Sequence, residues 1–225
     1  MKDTVPQYLQ QQKALYGNEL YLSREPDSLP RTSPVIDKSI SYKEIDDFNQ
    51  SICNCMECPL GKTRTNFVFG VGDPNAELML VGEAPGKQED LKGEPFVGRA
   101  GKLLDDILRA INRKRGDGVY IANVLKCRPP NNRDPLPSEV DKCETYLQKQ
   151  IQLVKPKLIV ALGRVAGKTL LKMDAPLKEL RCKTHDYNGT PLRVTYHPAA
   201  LLRNSNFKPP TWDDFKWIRD YLSQA

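Results

Sequence analysis

The chain has 225 residues, 39% of them hydrophobic, and a formal charge of +6. That length suits one domain with a real core, and no apolar run approaches the ~20 residues needed to cross a bilayer. The opening MKDTVPQYLQQQ lacks the apolar stretch of a secretory signal. The expectation is therefore a cytoplasmic protein whose six cysteines do not pair as structural disulfides.

In chain order, residues 1–50 are rich in Gln, Ser, Pro and charge, with Pro26, Pro30 and Pro34 breaking regular structure. A short amphipathic helix is expected around Gln7–Tyr16, then a linker, so that 1–50 forms a partly flexible extension and 51–225 the domain. Cys55-Met56-Glu57-Cys58-Pro59 follows, with Cys53 just ahead of it. Leu78–Gly82 is an apolar strand, and it runs into Gly82-Glu83-Ala84-Pro85-Gly86 and a long polar loop. Loops of that length inside compact domains are usually functional or disordered. A helix then shows Leu103, Leu104, Ile107, Leu108 and Ile111 on one face.

Strands are expected at Val119–Val124, Lys157–Leu162 and Arg193–Tyr196, and helices at Ser138–Val154, capped by Ser138, and Arg164–Met173. Alternation of this kind predicts an α/β fold, a three-layer α/β/α sandwich around a central, mainly parallel four-stranded sheet. Ligands bind such sheets beyond the carboxyl ends of the strands. That rule singles out Glu83, Asn123, Gly163 and His197. His185, in a Thr-His-Asp-Tyr-Asn-Gly segment, reads as an exposed turn residue.

Gly163-Arg164-Val165-Ala166-Gly167-Lys168-Thr169 imitates a phosphate-binding loop. It has three residues between its glycines where that motif needs four, so Lys168 is read as a helix-surface cation. Nine basic residues between Arg99 and Arg133 face three acids, a difference equal to the whole net charge. A local basic surface of that kind suits a polyanion. Cys127, in Lys126-Cys127-Arg128-Pro129-Pro130, and Cys143 join the C-x2-C pair as metal-ligand candidates. Four thiolates from three segments can hold zinc or an iron–sulfur cluster, and spacing leaves open whether Cys53 replaces Cys55.

Taken together, Cys55-x2-Cys58-Pro59-Leu60, the Gly82–Gly101 segment, Asn123-Val-Leu-Lys-Cys127-Arg-Pro-Pro-Asn-Asn-Arg133, Cys143 and His197-Pro-Ala-Ala-Leu-Leu-Arg203 resemble the family 4 uracil-DNA glycosylases. The resemblance implies a [4Fe-4S] cluster on Cys55, Cys58, Cys127 and Cys143, with zinc as the alternative. It implies a monomer acting on uracil-containing DNA and no membrane, by monofunctional hydrolysis of the N-glycosidic bond. The rival is a non-catalytic, metal-stapled nucleic-acid-binding module.

The same resemblance assigns catalysis to Glu83, at the sugar and its attacking water, and to His197, donating to uracil O2. It gives the base pocket Gly82, Ala84, Gly86, Phe96 as an aromatic platform and Asn123 as reader of the uracil edge. Better-known relatives carry an aspartate where Ala84 stands and a tyrosine where Gly86 stands. Exclusion of the thymine methyl is therefore assigned to Glu89. Leu201 is the expected wedge into the vacated base stack, and Arg203 a phosphate contact. Residues Pro129–Pro135 lack the histidine-bearing insertion with which some relatives trap the sugar, so ordinary turnover is expected.

Overall fold

The computed structural model describes residues 38–224, so the helix expected at Gln7–Tyr16 and the proline-rich linker lie outside the described residues. The first element is helix α1, Lys38–Ile52. Its Ile45 is buried and its Phe48 packs edge-on against Phe69 and Tyr146. Helix α1 is therefore part of the described compact unit and contributes to its core.

Among the described residues six strands form one sheet: β1 (Val71–Gly72), β2 (Leu78–Gly82), β3 (Val119–Asn123), β4 (Leu158–Leu162), β5 (His185–Tyr187) and β6 (Thr190–Thr195), in the order β1-β3-β2-β4-β6-β5. The four central strands are parallel, as expected. Two short antiparallel strands, absent from the sequence reading, close the edges. His185 belongs to one of them and its Nε2 lies 2.8 Å from the Leu180 carbonyl. It is a strand residue with a structural contact. The β5–β6 turn uses Asn188 and Gly189, both at positive φ, the conformation that two-residue hairpins prefer.

Strand residues alternate between two cores, as the two-residue period of a pleated sheet requires. Met79, Val81, Ala122, Ile159, Ala161 and Val194 face one side, with Leu147 and Ile151 of α4 (Pro137–Val154) and Leu170 of α5 (Arg164–Leu171). Leu78, Leu80, Ile121, Leu158 and Val160 face the other, against α3 (Arg99–Ala110) and α8 (Lys208–Gln224). The result is the three-layer sandwich. The polar loop after β2 also contains a short helix, α2 (Lys87–Lys92), starting at Gly86 and stopped by Gly93 at φ 76°. Asp90 moors it: the backbone N–H and hydroxyl of Thr65 donate to its carboxylate.

At the start of α4 the cap is Leu136, and Ser138 is the second residue of the helix. The Glu139 carboxylate turns back to accept the Leu136 N–H at 2.9 Å, while Pro137 occupies the first helical position, where a missing N–H costs nothing. The described residues also include the helices α6 (Leu177–Leu180) and α7 (Pro198–Arg203). No described helix is long and apolar enough to cross a membrane.

Candidate active site and cysteine cavity

A cavity of about 680 Å³ opens beyond the carboxyl ends of the parallel strands. Glu83, Asn123, Gly163 and His197, each following or ending a strand, all line it. Their positions are fixed by the ladder, which continues past the formal strand ends: Val124 N–H donates to Gly82 O at 2.9 Å and Leu125 N–H to Glu83 O at 3.0 Å.

Asn123 is only 2% exposed. Its carbonyl accepts from the wholly buried Lys126 ammonium at 2.8 Å, and Lys126 also donates to Gln150 Oε1. Among the described residues its side-chain amide takes no protein partner and so keeps a donor and an acceptor for the cavity. Gly82 is required by this arrangement. A Cβ there would stand 2.3 Å from Asn123 Oδ1 and 2.7 Å from Phe96 Cζ.

Burial, helped by the negative charge of Asp134 and opposed by Arg164, pushes the Glu83 carboxyl up to about 7. His197 moves the other way. Burial, then the Arg203 charge, lower it to about 4 against the pull of Glu89, so the imidazole is neutral at pH 7. Ala199 N–H donates to His197 Nδ1 at 3.1 Å. That nitrogen therefore carries the lone pair and Nε2 carries the proton, which makes His197 a neutral hydrogen-bond donor.

Phe96 walls the same cavity but is more enclosed than a free platform, at 6% exposed. Its ring stacks on His197 at 5.4 Å and 29°, and the backbone is held at φ 55°. Arg115 locks that conformation by donating to the Pro95 and Phe96 carbonyls at 2.7 and 2.8 Å. Glu89 also lines the cavity, and its Oε1 accepts the N–H groups of Val97 and Gly98, both at 3.1 Å. Its carboxylate braces the loop that carries Phe96, a use the sequence did not suggest. Ala84 and Gly86 line the cavity beside it.

Leu201 does not fit the role of a wedge. It is 3% exposed and packed inward, whereas its neighbour Leu202 is 42% exposed. Arg203 is exposed and borders the cavity. Within the basic window several cations are already engaged. Arg109, Arg113, Lys114, Arg115 and Arg133 are paired with carboxylates, and Lys126 is buried. Lys168 pairs with Asp174 on the surface of α5, consistent with a helix cation. Residues that sequence reasoning missed are Asp134, Arg164, Tyr196 and Phe207, all in the cavity wall. For Arg164 a signal existed, since it follows Gly163 at a strand end.

A second, small cavity is lined by Cys55, Cys58, Cys127 and Cys143 together. Hydrogen-bond donors point at three of the sulfurs: Tyr146 hydroxyl at Cys55 and Lys126 N–H at Cys143, both 3.2 Å, and Arg64 Nη1 at Cys127, also 3.2 Å. Arg64 further binds the carbonyls of Cys55 and Cys53. Cys53 turns its own thiol to the Gln50 carbonyl, which leaves Cys55 in the set. Ala84 packs against this cluster while lining the large cavity. Among the described residues no three Cys, His, Asp or Glu side chains converge on a single-ion site.

Comparison with known proteins places residues 69–216 within the model of the uracil DNA glycosylase superfamily. A type-4 uracil-DNA glycosylase of Archaeoglobus fulgidus is 46% identical over 184 residues, 78% of this chain and 92% of its own. The type-4 uracil-DNA glycosylase of Thermotoga maritima is 43% identical over 158 residues, 69% of this chain and 82% of its own. A type-5 uracil-DNA glycosylase of Pyrobaculum aerophilum is 30% identical over 192 residues, 71% and 84% of the two chains.

Proposed function

The chain belongs to the uracil DNA glycosylase superfamily and within it to the type-4 enzymes, and from that premise we propose that the cavity beyond the parallel strands is its active site. It excises uracil from DNA. An enzyme that does this must take the base out of the stack and hold it by its Watson–Crick edge. The observation that carries the assignment is the convergence of a carboxyl, a free amide and a neutral imidazole, from three different strand ends, on one cavity.

In the proposed reaction the bond between C1′ and uracil N1 breaks, its electron pair leaving with the base. Asn123 donates to uracil O4 and accepts from N3–H, a pattern that cytosine reverses. His197 Nε2–H donates to O2 as negative charge gathers there. A prearranged donor of this kind is worth roughly 10²–10³ in rate. Glu83 faces the cationic sugar. With its carboxyl near 7 it is part-ionised at neutral pH, matched to accept the proton of the water that adds at C1′. Phe96, held by Glu89 and Arg115, keeps the imidazole and the base pocket in register.

What supports an iron–sulfur cluster over zinc at the four cysteines is that they line a cavity together without closing on one point, and that three of their sulfurs receive hydrogen bonds. We propose that Cys55, Cys58, Cys127 and Cys143 hold a [4Fe-4S] cluster. When bound, it would tie the segment before β1 to the loop after β3 and to α4.

The test is an oligonucleotide with one uracil. Wild-type protein should leave an alkali-labile site at uracil, none at thymine in the same position, and no strand break without alkali. Asn123→Ala should keep DNA binding while losing excision; equal loss of both would overturn its base-reading role.

A further inference from the structure

The cavity is larger than one pyrimidine ring requires, and its wall contains a second aromatic stack. Tyr196 and Phe207 both line it, their rings 4.4 Å apart and 12° from parallel. Behind Tyr196 lies the Arg181 guanidinium, 4.4 Å from the ring centre. Arg181 is fixed in turn by Asp214, at 2.8 Å, and by the Pro210 carbonyl at 2.9 Å. Thr195 hydroxyl donates to the same Asp214 carboxylate. Arg181, Asp214 and Thr195 are all buried, and a buried ion pair is weak evidence for stability alone. Here it backs an aromatic tier with a rigid cation.

Phe207 is the outermost ring of that tier. It is half-buried and stands in the turn between α7 and α8, where its carbonyl accepts the Thr211 hydroxyl at 2.7 Å. Exposed Arg203 and Lys208 flank it in the chain. A rigid aromatic face bordered by cations is the pattern that binds a nucleobase and its phosphate, because every base offers a π face.

We propose that Phe207 is a stacking platform for the nucleobase next to the extracted uracil on the same strand. This rests on the assignment of the cavity as the active site. Stacking holds the neighbouring nucleotide while the uracil sits under Asn123 and His197, and tolerates any base in that position.

Phe207→Leu keeps the aliphatic contact with Tyr196 and removes the π face. Excision efficiency (kcat/KM) on a single-stranded uracil oligonucleotide should fall about 5- to 150-fold, the range for one lost base stack, in a protein that stays folded at the assay temperature. Phe207→Trp should stay near wild type. The deciding substrates carry an abasic nucleotide on the 5′ or the 3′ side of the uracil. On one of these, wild type and Phe207→Leu should converge. A penalty that persists on both, or an equal loss in Phe207→Trp, would overturn the proposal. Failure of wild-type protein to excise uracil at all would instead overturn the active-site assignment.

Discussion

Gly82→Ala would be a one-carbon probe of the base pocket. The new Cβ would lie 2.3 Å from Asn123 Oδ1 and 2.7 Å from Phe96 Cζ. The β2 backbone is hydrogen-bonded to strands on both sides, so the side chains must yield. Asn123 Oδ1 has to retreat by at least 0.7 Å to reach even a 3.0 Å contact. Overpacking of this kind costs about 1–3 kcal/mol in stability, whereas a displacement near 1 Å in a positioning group can cost ~10²-fold in rate. The expected outcome is a folded protein with a Tm a few degrees lower and kcat/KM on uracil DNA reduced about 100-fold. Because the damage passes through Asn123, adding Gly82→Ala to Asn123→Ala should reduce activity little further. Near-wild-type excision by Gly82→Ala, or full additivity in the double variant, would refute the reasoning.

Lys126→Met would leave Asn123 O and Gln150 Oε1 without their buried donor, so stability should fall by about 1–3 kcal/mol and excision should fall with it; denaturant melts alongside rates check this. Anaerobically prepared protein should contain iron and acid-labile sulfide in equal amounts, and Cys143→Ser should lose both; stoichiometric zinc would contradict the cluster. Leu201→Ala should lower Tm by opening a core cavity and should not weaken excision from double-stranded DNA selectively, as loss of a wedge would. Comparing double-stranded with single-stranded substrates separates these effects.

The site was legible where a rule of topology applied. Glu83, Asn123, Gly163 and His197 stand at parallel strand ends, and that alone was enough to gather them. Phase and partnership were not legible. On the short helix α7 a shift of one residue turns the side chain from core to solvent, so Leu201 is buried where its neighbour Leu202 is exposed, with no change in composition. Charge counting does not show partners: Arg113 pairs with Glu77 and Arg115 donates to loop carbonyls. Helix α8 is not among the expected elements; its Pro209 and Pro210 sit in the first turn, where proline is tolerated. The Tyr196–Phe207 stack depends on the reversal of the chain through α7, which no local pattern records.

The most direct test is the pH dependence of single-turnover excision. Glu83 is raised by burial to about 7, so the carboxylate needed to accept the water proton is lost as pH falls through that value. His197, lowered to about 4, stays neutral across the same interval and adds no second limb. The rate should therefore rise with pH through a single titration near 7 and level off above it. In Glu83→Gln the rate should be low and flat across that range. A wild-type rate independent of pH between 5.5 and 8.5 (roughly the interval over which a group titrating near neutrality changes charge), or the same titration persisting in Glu83→Gln, would contradict the assignment of Glu83.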